Sequence, residues 1–115
     1  MRLTALAVAA GLLWPACAFS AGFVTSNDLY ERCNAQSGTV EHGFCLGYLA
    51  GIADQVNSND MTICIPLPDG VTLGQVTDIV VKALREHRSQ QRHGSASALA
   101  EWALREAFPC KEQAH

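Results

Sequence analysis

Cysteine and histidine are the residues of this sequence with the most evident capacity for chemistry. His42 and Cys45 are three positions apart, and Cys33 and Cys64 lie on either side of them in the chain. Two side chains at that spacing share one face of a helix, so the four residues could form a Cys/His set of the kind that binds zinc. A free thiolate near one of the histidines would instead provide a nucleophile and its base.

Both chemistries require reduced thiols, and the start of the chain argues against them. Arg2 precedes an apolar run over residues 3–13, and Ala16-Cys17-Ala18 has the small-x-small form of a signal peptidase site. We therefore predict a cleaved signal peptide over residues 1–18, a single mature domain over residues 19–115, and a periplasmic location. An exported chain folds in an oxidising compartment, where cysteines form disulfides.

Charge and hydropathy limit the classes of partner that the mature chain could bind. Lipid attachment at Cys17 is the less favoured alternative to cleavage, because Trp14 and Pro15 precede it, and no later apolar run is long enough to cross a membrane. Without Arg2 the mature chain carries 7 basic and 11 acidic residues. A chain with this acidic balance is a poor ligand for nucleic acid or an anionic membrane, so we expect a protein partner of basic character.

Four cysteines remain after cleavage, and an even number in a small exported domain predicts two disulfides. Three pairings exist, and we favour Cys33–Cys45 with Cys64–Cys110, because Cys33 should end one helix and Cys45 should open the next. Disulfides would remove both the zinc site and the nucleophile. The remaining candidates for catalysis are Asp54, Asp78, His87 and His93. We expect them to be solvated side chains without a catalytic partner, so we predict that the protein is not an enzyme and has no cofactor.

Capping signals and apolar periodicity predict four helices and no strand, that is, a small compact all-α domain cross-linked by two disulfides. Thr25 with Asp28, and Thr72 with Gln75, have the spacing of capping boxes at the starts of two helices. The expected ranges are 26–33, 40–56, 72–86 and, from Ser95 or Ser97, a last helix that reaches residue 108 before a proline.

The second predicted helix contains a row of glycines four residues apart, Gly43, Gly47 and Gly51. Each glycine lowers helix stability by about 1 kcal/mol, so three in a row need a compensating reason. Close approach of another helix backbone is the usual one. We favour packing of a neighbouring helix of the same chain, with a tight homodimer seam as the alternative.

The sequence resembles the Rap/Tai family of periplasmic immunity proteins, and the resemblance extends over essentially the whole mature chain. It rests on an ordered set of segments together with the four cysteines: NDLY at 27–30, FCLGYLAG at 44–51, CIP at 64–66, GVTLGQV at 70–76, SAL at 97–99 and ALREAFPC at 103–110. The resemblance implies an all-helical exported protein, commonly a homodimer. Such a protein occludes the active-site cleft of a cell-wall amidase delivered by type VI secretion, without chemistry of its own.

We further expect the loop before the last helix to contact the partner, through Arg88, Gln91, Arg92 and His93. Two other functions stay open for a chain of this kind. One is a small periplasmic chaperone, activated at low pH when protonation of its carboxylates and histidines gives it a large positive charge. The other is an orphan homologue that has no effector partner.

Overall fold

A computed structural model describes residues 22–57, 64–87 and 94–110. Within these ranges it contains four helices and a single isolated β-bridge: α1 (Ser26–Cys33), α2 (Val40–Val56), α3 (Leu73–Glu86) and α4 (Ala96–Ala107). The predicted all-α fold is confirmed, and the helix bounds agree with the prediction to within one residue, with Ser95 as the cap of α4. None of the described helices is long and apolar enough to cross a membrane. The predicted signal peptide and the loop at 88–93 lie outside the described residues.

Three of the four helices begin at a threonine whose hydroxyl accepts a backbone hydrogen bond. The Thr25 hydroxyl accepts from the Asp28 amide at 3.1 Å, and the Asp28 carboxylate accepts from the Thr25 amide at 3.2 Å. Thr72 and Gln75 repeat this capping box at α3, and Thr39 caps α2. At α4 the cap residue is Ser95, whose hydroxyl meets Ser97 instead of a helix amide. The two capping boxes predicted from spacing are therefore present.

One hydrophobic core joins all four helices. Leu29 of α1, Leu49 of α2 and Leu84 of α3 are completely buried. The stripe that α4 buries is built mainly from small residues: Ala96, Ala100, Ala103 and Leu104. Because alanine side chains are short, α4 can lie close to α3, and these two helices share the most extensive packing in the fold.

Two disulfides close the domain, with the predicted pairing. Cys33 and Cys45 join the end of α1 to α2 with a Cα separation of 5.0 Å, and Cys64 and Cys110 join the connector before α3 to the segment after α4, at 5.6 Å. All four thiols are therefore engaged, which leaves none for the zinc site or the nucleophile considered above. The described residues also contain no cluster of three metal-ligating side chains.

The starts of α1 and α4 are joined by backbone hydrogen bonds that the sequence did not predict. The Ser26 amide donates to the Gly94 carbonyl at 2.9 Å, and the Ala96 amide donates to the Val24 carbonyl at 3.0 Å. The Ser26 hydroxyl lies 3.3 Å from the carbonyls of both Gly94 and Ser95. Ser26 is the one buried polar residue among those described. This bridge fixes the chain where it leaves the 88–93 loop.

Candidate partner-binding surfaces

The residues on either side of the 88–93 loop, His87 and Gly94, line one cavity. Arg88, Gln91, Arg92 and His93 themselves lie outside the described residues. Before the loop, His87 ends α3, and its imidazole meets the indole of Trp102 edge-on at 5.2 Å between ring centroids. After the loop, Gly94 is held by Ser26. This cavity has a volume of about 310 Å³ and is lined mostly by apolar atoms.

Trp102 is the main exposed aromatic residue of this cavity, with 44% of its surface accessible. Its exposure was not predicted from the sequence. The buried stripe of α4 is occupied by Ala96, Ala100 and Ala103. Since successive residues turn by about 100°, Trp102 is rotated away from that stripe, toward the groove beside α3. The small-residue spacing of α4 was the sequence signal that could have indicated this.

Two further cavities lie along the seam between α3 and α4. A second cavity of about 240 Å³ shares Trp102 with the first and is bordered by Ile79, Glu86 and Glu106. A third, of about 490 Å³, shares Ile79 with the second and reaches Phe108 and the connector before α3. We call these three neighbouring cavities together the α3/α4 groove, defined by its apolar residues Ile79, Trp102 and Phe108.

Acidic side chains border the groove. Among the described residues that line it, one is a lysine, Lys82, and four are exposed carboxylates: Asp69, Asp78, Glu86 and Glu106. The Lys82 ammonium lies 3.9 Å from the Glu86 carboxylate, and both side chains are largely exposed to water. Such a surface pair contributes at most about 1 kcal/mol, so Lys82 is free to exchange partners. The groove therefore presents an apolar floor within a negative rim.

A second exposed surface runs along α2, which we call the α2 outer face. Its members recur every three or four residues, opposite the buried Cys45 and Leu49: Val40, Gly43, Phe44, Gly47, Gly51 and Asp54. Apart from its chain neighbours and the backbone of its own helix, a Cβ atom built on any of its three glycines meets no described atom within 4 Å. For the described residues, the favoured explanation of the glycines, packing of a helix from the same chain, is therefore wrong. The homodimer seam stays a prediction.

Aromatic residues border the α2 outer face on one side. The rings of Phe44 and Tyr48 stack with their centroids 5.9 Å apart, and the Arg32 guanidinium lies over the Phe44 ring at 4.2 Å. The arginine comes from α1, so this cation–π contact links α1 to the exposed side of α2. Phe44 is thereby held in one orientation although 37% of its surface is exposed.

The carboxylates that the sequence singled out are in ordinary solvated surroundings. Asp54 and Asp78 are exposed on separate helices. The clearest electrostatic perturbation is at Asp28, where hydrogen bonds from the Thr25 side chain and then its backbone amide lower the pKa of the carboxyl, with a smaller contribution from Arg32. Asp28 caps α1 and has a structural role.

A comparison with protein families bears on the functions left open. The family described as Rap1a immunity proteins matches residues 25–110, about three quarters of the chain. The chain belongs to the Rap1a immunity protein family. No curated protein and no solved structure matches it. The matched range begins at the cap of α1 and ends at Cys110, so the Rap1a region includes all four helices, both disulfides and both surfaces. Membership implies that the protein binds a cognate effector.

Proposed function

We propose that this Rap1a family member is a periplasmic immunity protein that binds a peptidoglycan amidase delivered by type VI secretion and occludes its active site. The observation that carries the proposal is the family match over residues 25–110. Both disulfides fit an oxidising compartment. The signal peptide predicted over residues 1–18 would deliver the chain there, and its acidic balance suits a basic partner.

The proposed mechanism is steric occlusion, without a reaction catalysed by the immunity protein. The 88–93 loop contributes Arg88, Gln91, Arg92 and His93, whose long polar side chains can enter a cleft and donate hydrogen bonds. Its ends are held by the Ser26 hydrogen bonds and by the contact of His87 with Trp102. A domain cross-linked by two disulfides loses less conformational entropy on binding, which favours tight inhibition.

The α2 outer face is the proposed seam of a homodimer. Val40 is 84% exposed, and Asp54 is the one charged residue of the face. Positions 40, 44, 47, 51 and 54 alternate between spacings of four and three, the pattern by which two helices pack along a narrow seam. The exposed glycines would let the two α2 backbones approach closely, which would compensate for their cost to helix stability.

The partner can be identified with the oxidised mature chain, residues 19–115, as bait at neutral pH against the secreted and envelope fractions of the producing strain. The proposal predicts retention of one peptidoglycan amidase in stoichiometric amount, whose activity falls when it is bound. An empty result at neutral pH, together with many unfolded client proteins near pH 3, would contradict it and favour the chaperone.

The role of the loop is tested by replacing Arg88, Gln91, Arg92 and His93 together by alanine. We expect binding of the amidase to weaken at least about tenfold, or about 1.4 kcal/mol, because the variant removes the donors that enter the cleft. The matched control is Arg85→Ala with Arg105→Ala, which removes two exposed arginines from the described helices. Equal affinities of the two variants and the wild type would contradict the assignment of the loop.

A further inference from the structure

We propose that the α3/α4 groove binds an amphipathic helix of the effector, one whose apolar stripe is flanked by lysine or arginine, and that Trp102 is the main contact residue. This rests on the proposed function and specifies a part of the partner. It adds a second contact besides the 88–93 loop, one that recognises the effector surface outside the effector's active site.

The seam of α3 and α4 is long enough to receive a helix, and apolar residues lie along it. Trp102, Ile79 and Phe108 follow one another along the seam of α3 and α4, and successive cavities share Trp102 and Ile79. The 14 residues of α3 extend over roughly 21 Å, enough to accommodate about four turns of a docked helix. A tryptophan with 44% exposure beside a concave surface is typical of the residues that dominate binding energy at interfaces.

Charge complementarity indicates the flanks of that helix. Asp69, Asp78, Glu86 and Glu106 are all exposed around the groove, and among the described residues that line it the one lysine or arginine, Lys82, lies beside Glu86. At physiological ionic strength charges are screened beyond about 8 Å. These carboxylates therefore interact mainly with side chains immediately beside the apolar stripe of a docked helix. Lysine or arginine at those positions would gain favourable contacts, whereas acidic residues would be repelled.

Two other possible occupants of the groove, a second copy of the protein and its own residues 111–115, fit less well. A second copy would place the same acidic rim against itself if the grooves met face to face, which is unfavourable. The last residues of the chain, KEQAH at 111–115, follow Cys110 near Phe108 but contain no large apolar side chain to cover Trp102. A basic amphipathic helix would bury its apolar stripe against the groove and place its cations beside the surrounding carboxylates.

Trp102 also supplies the measurement, because it is the only tryptophan of residues 19–115. The probes are two tryptophan-free peptides of about 18 residues with the same leucine stripe, one flanked by lysine and the other by glutamate. We expect the lysine peptide to shift the Trp102 emission to shorter wavelength in a saturable way at physiological salt. It should bind roughly tenfold or more tightly than the glutamate peptide.

Charge-reversal variants locate the binding. Asp78→Lys with Glu106→Lys should weaken the lysine peptide about tenfold or more, because it reverses two charges of the rim. The matched control, Glu31→Lys with Glu41→Lys, makes the same change in net charge at exposed positions on α1 and α2 and should leave the affinity within about twofold. Circular dichroism and thermal melting establish that both variants fold. Equal weakening in both would show non-specific attraction and overturn the proposal.

The remaining outcomes separate this inference from the proposed function. An amidase that is retained and inhibited, but bound equally well by wild type, Trp102→Ala and the rim variant, would overturn the groove proposal and leave the immunity function standing. Groove variants that lower peptide affinity, in a protein that retains no amidase, would contradict the immunity function alone. Tighter peptide binding after deletion of residues 111–115 would identify the C-terminal segment as the occupant and overturn the proposal.

Discussion

The α2 outer face and the α3/α4 groove are both exposed and apolar, but they differ in charge and in shape. The α2 outer face carries three glycines and one carboxylate, Asp54, and it follows the straight line of a single helix. The groove is concave, contains Trp102, and is surrounded by carboxylates. A surface that binds its own copy must tolerate its own charges, whereas a surface for a different protein can be strongly of one sign. The first is suited to self-association and the second to a basic partner.

The helices themselves show the same contrast. α3 has one apolar stripe, formed by Val76, Val80 and Leu84, and a polar opposite side. α2 is apolar on nearly every side, yet the described residues fully bury only one of them, at Cys45, Leu49 and Val56. A helix that is apolar all round is normally buried all round. The uncovered side of α2 therefore requires a partner more than any side of α3 does.

The largest expected effects come from the disulfides, because each supports one of the two surfaces. Cys64–Cys110 closes a loop with a separation of 46 residues near Phe108 of the groove, and its removal by double alanine substitution should cost about 4 kcal/mol. Cys33–Cys45, with a separation of 12, adjoins α2, and its removal should cost about 3 kcal/mol. Urea unfolding measures both. Removal of Cys64–Cys110 should weaken peptide binding more than removal of Cys33–Cys45. The reverse order would contradict the assignment of one disulfide to each surface.

The next effect is a change at Gly47 whose sign differs between monomer and dimer. No described atom lies near a Cβ at this position, so Gly47→Ala should raise the free energy of unfolding of the monomer by about 0.5–1 kcal/mol. In a close-packed dimer the same methyl group separates the helices, and we expect the dissociation constant to rise about tenfold. Gly74→Ala on α3 is the control, since its Cβ would be in ordinary contact with Thr72. An unchanged dimer in Gly47→Ala would exclude the α2 seam.

A smaller effect is expected from Ser26→Ala. The substitution removes the buried hydroxyl that lies 3.3 Å from the Gly94 and Ser95 carbonyls, and it should lower the free energy of unfolding by about 1 kcal/mol. Because Gly94 follows the 88–93 loop, affinity for the amidase should also fall, while dimerisation on α2 should not change. Thermal melting and sedimentation measure these separately. Loss of dimerisation with unchanged affinity for the amidase would contradict this separation of the two surfaces.

The smallest effect is the pH dependence that Asp28 contributes. Its pKa is lowered from 3.8 by hydrogen bonds from Thr25, so its ionised form stabilises the folded state at neutral pH. That contribution is complete above the ordinary pKa and is lost as the pH falls through the lowered one. The stability advantage of the wild type over Asp28→Asn should therefore shrink below about pH 4. An advantage that is constant with pH would exclude this cap as its source.

Much of the fold was predictable because its signals are local. Thr25 with Asp28 and Thr72 with Gln75 mark helix starts within four residues, and Cys33 and Cys45 are joined across a short turn. The Ser26 to Gly94 contact spans 68 positions and has no local signal. The exposure of Trp102 depends on how α4 rotates against α3, which only the packing determines.

The glycines of α2 show where sequence reasoning needs the structure. Their spacing indicates that a helix approaches closely, but it is the same for a helix of this chain and for one of a second chain. The positions of the described residues around Gly43, Gly47 and Gly51 exclude the first alternative in that part of the chain. The partner-facing residues of the 88–93 loop, in contrast, remain a prediction from sequence and family.

The most direct test of the central claim, that one surface binds a second copy while another binds the effector, is the stoichiometry of the effector complex with Gly47→Leu. Sedimentation of the wild-type complex should give two immunity chains with two amidase chains, and the variant should give one of each with undiminished inhibition. Loss of both dimerisation and inhibition in a folded variant would contradict the account, because it would show that the two surfaces are one.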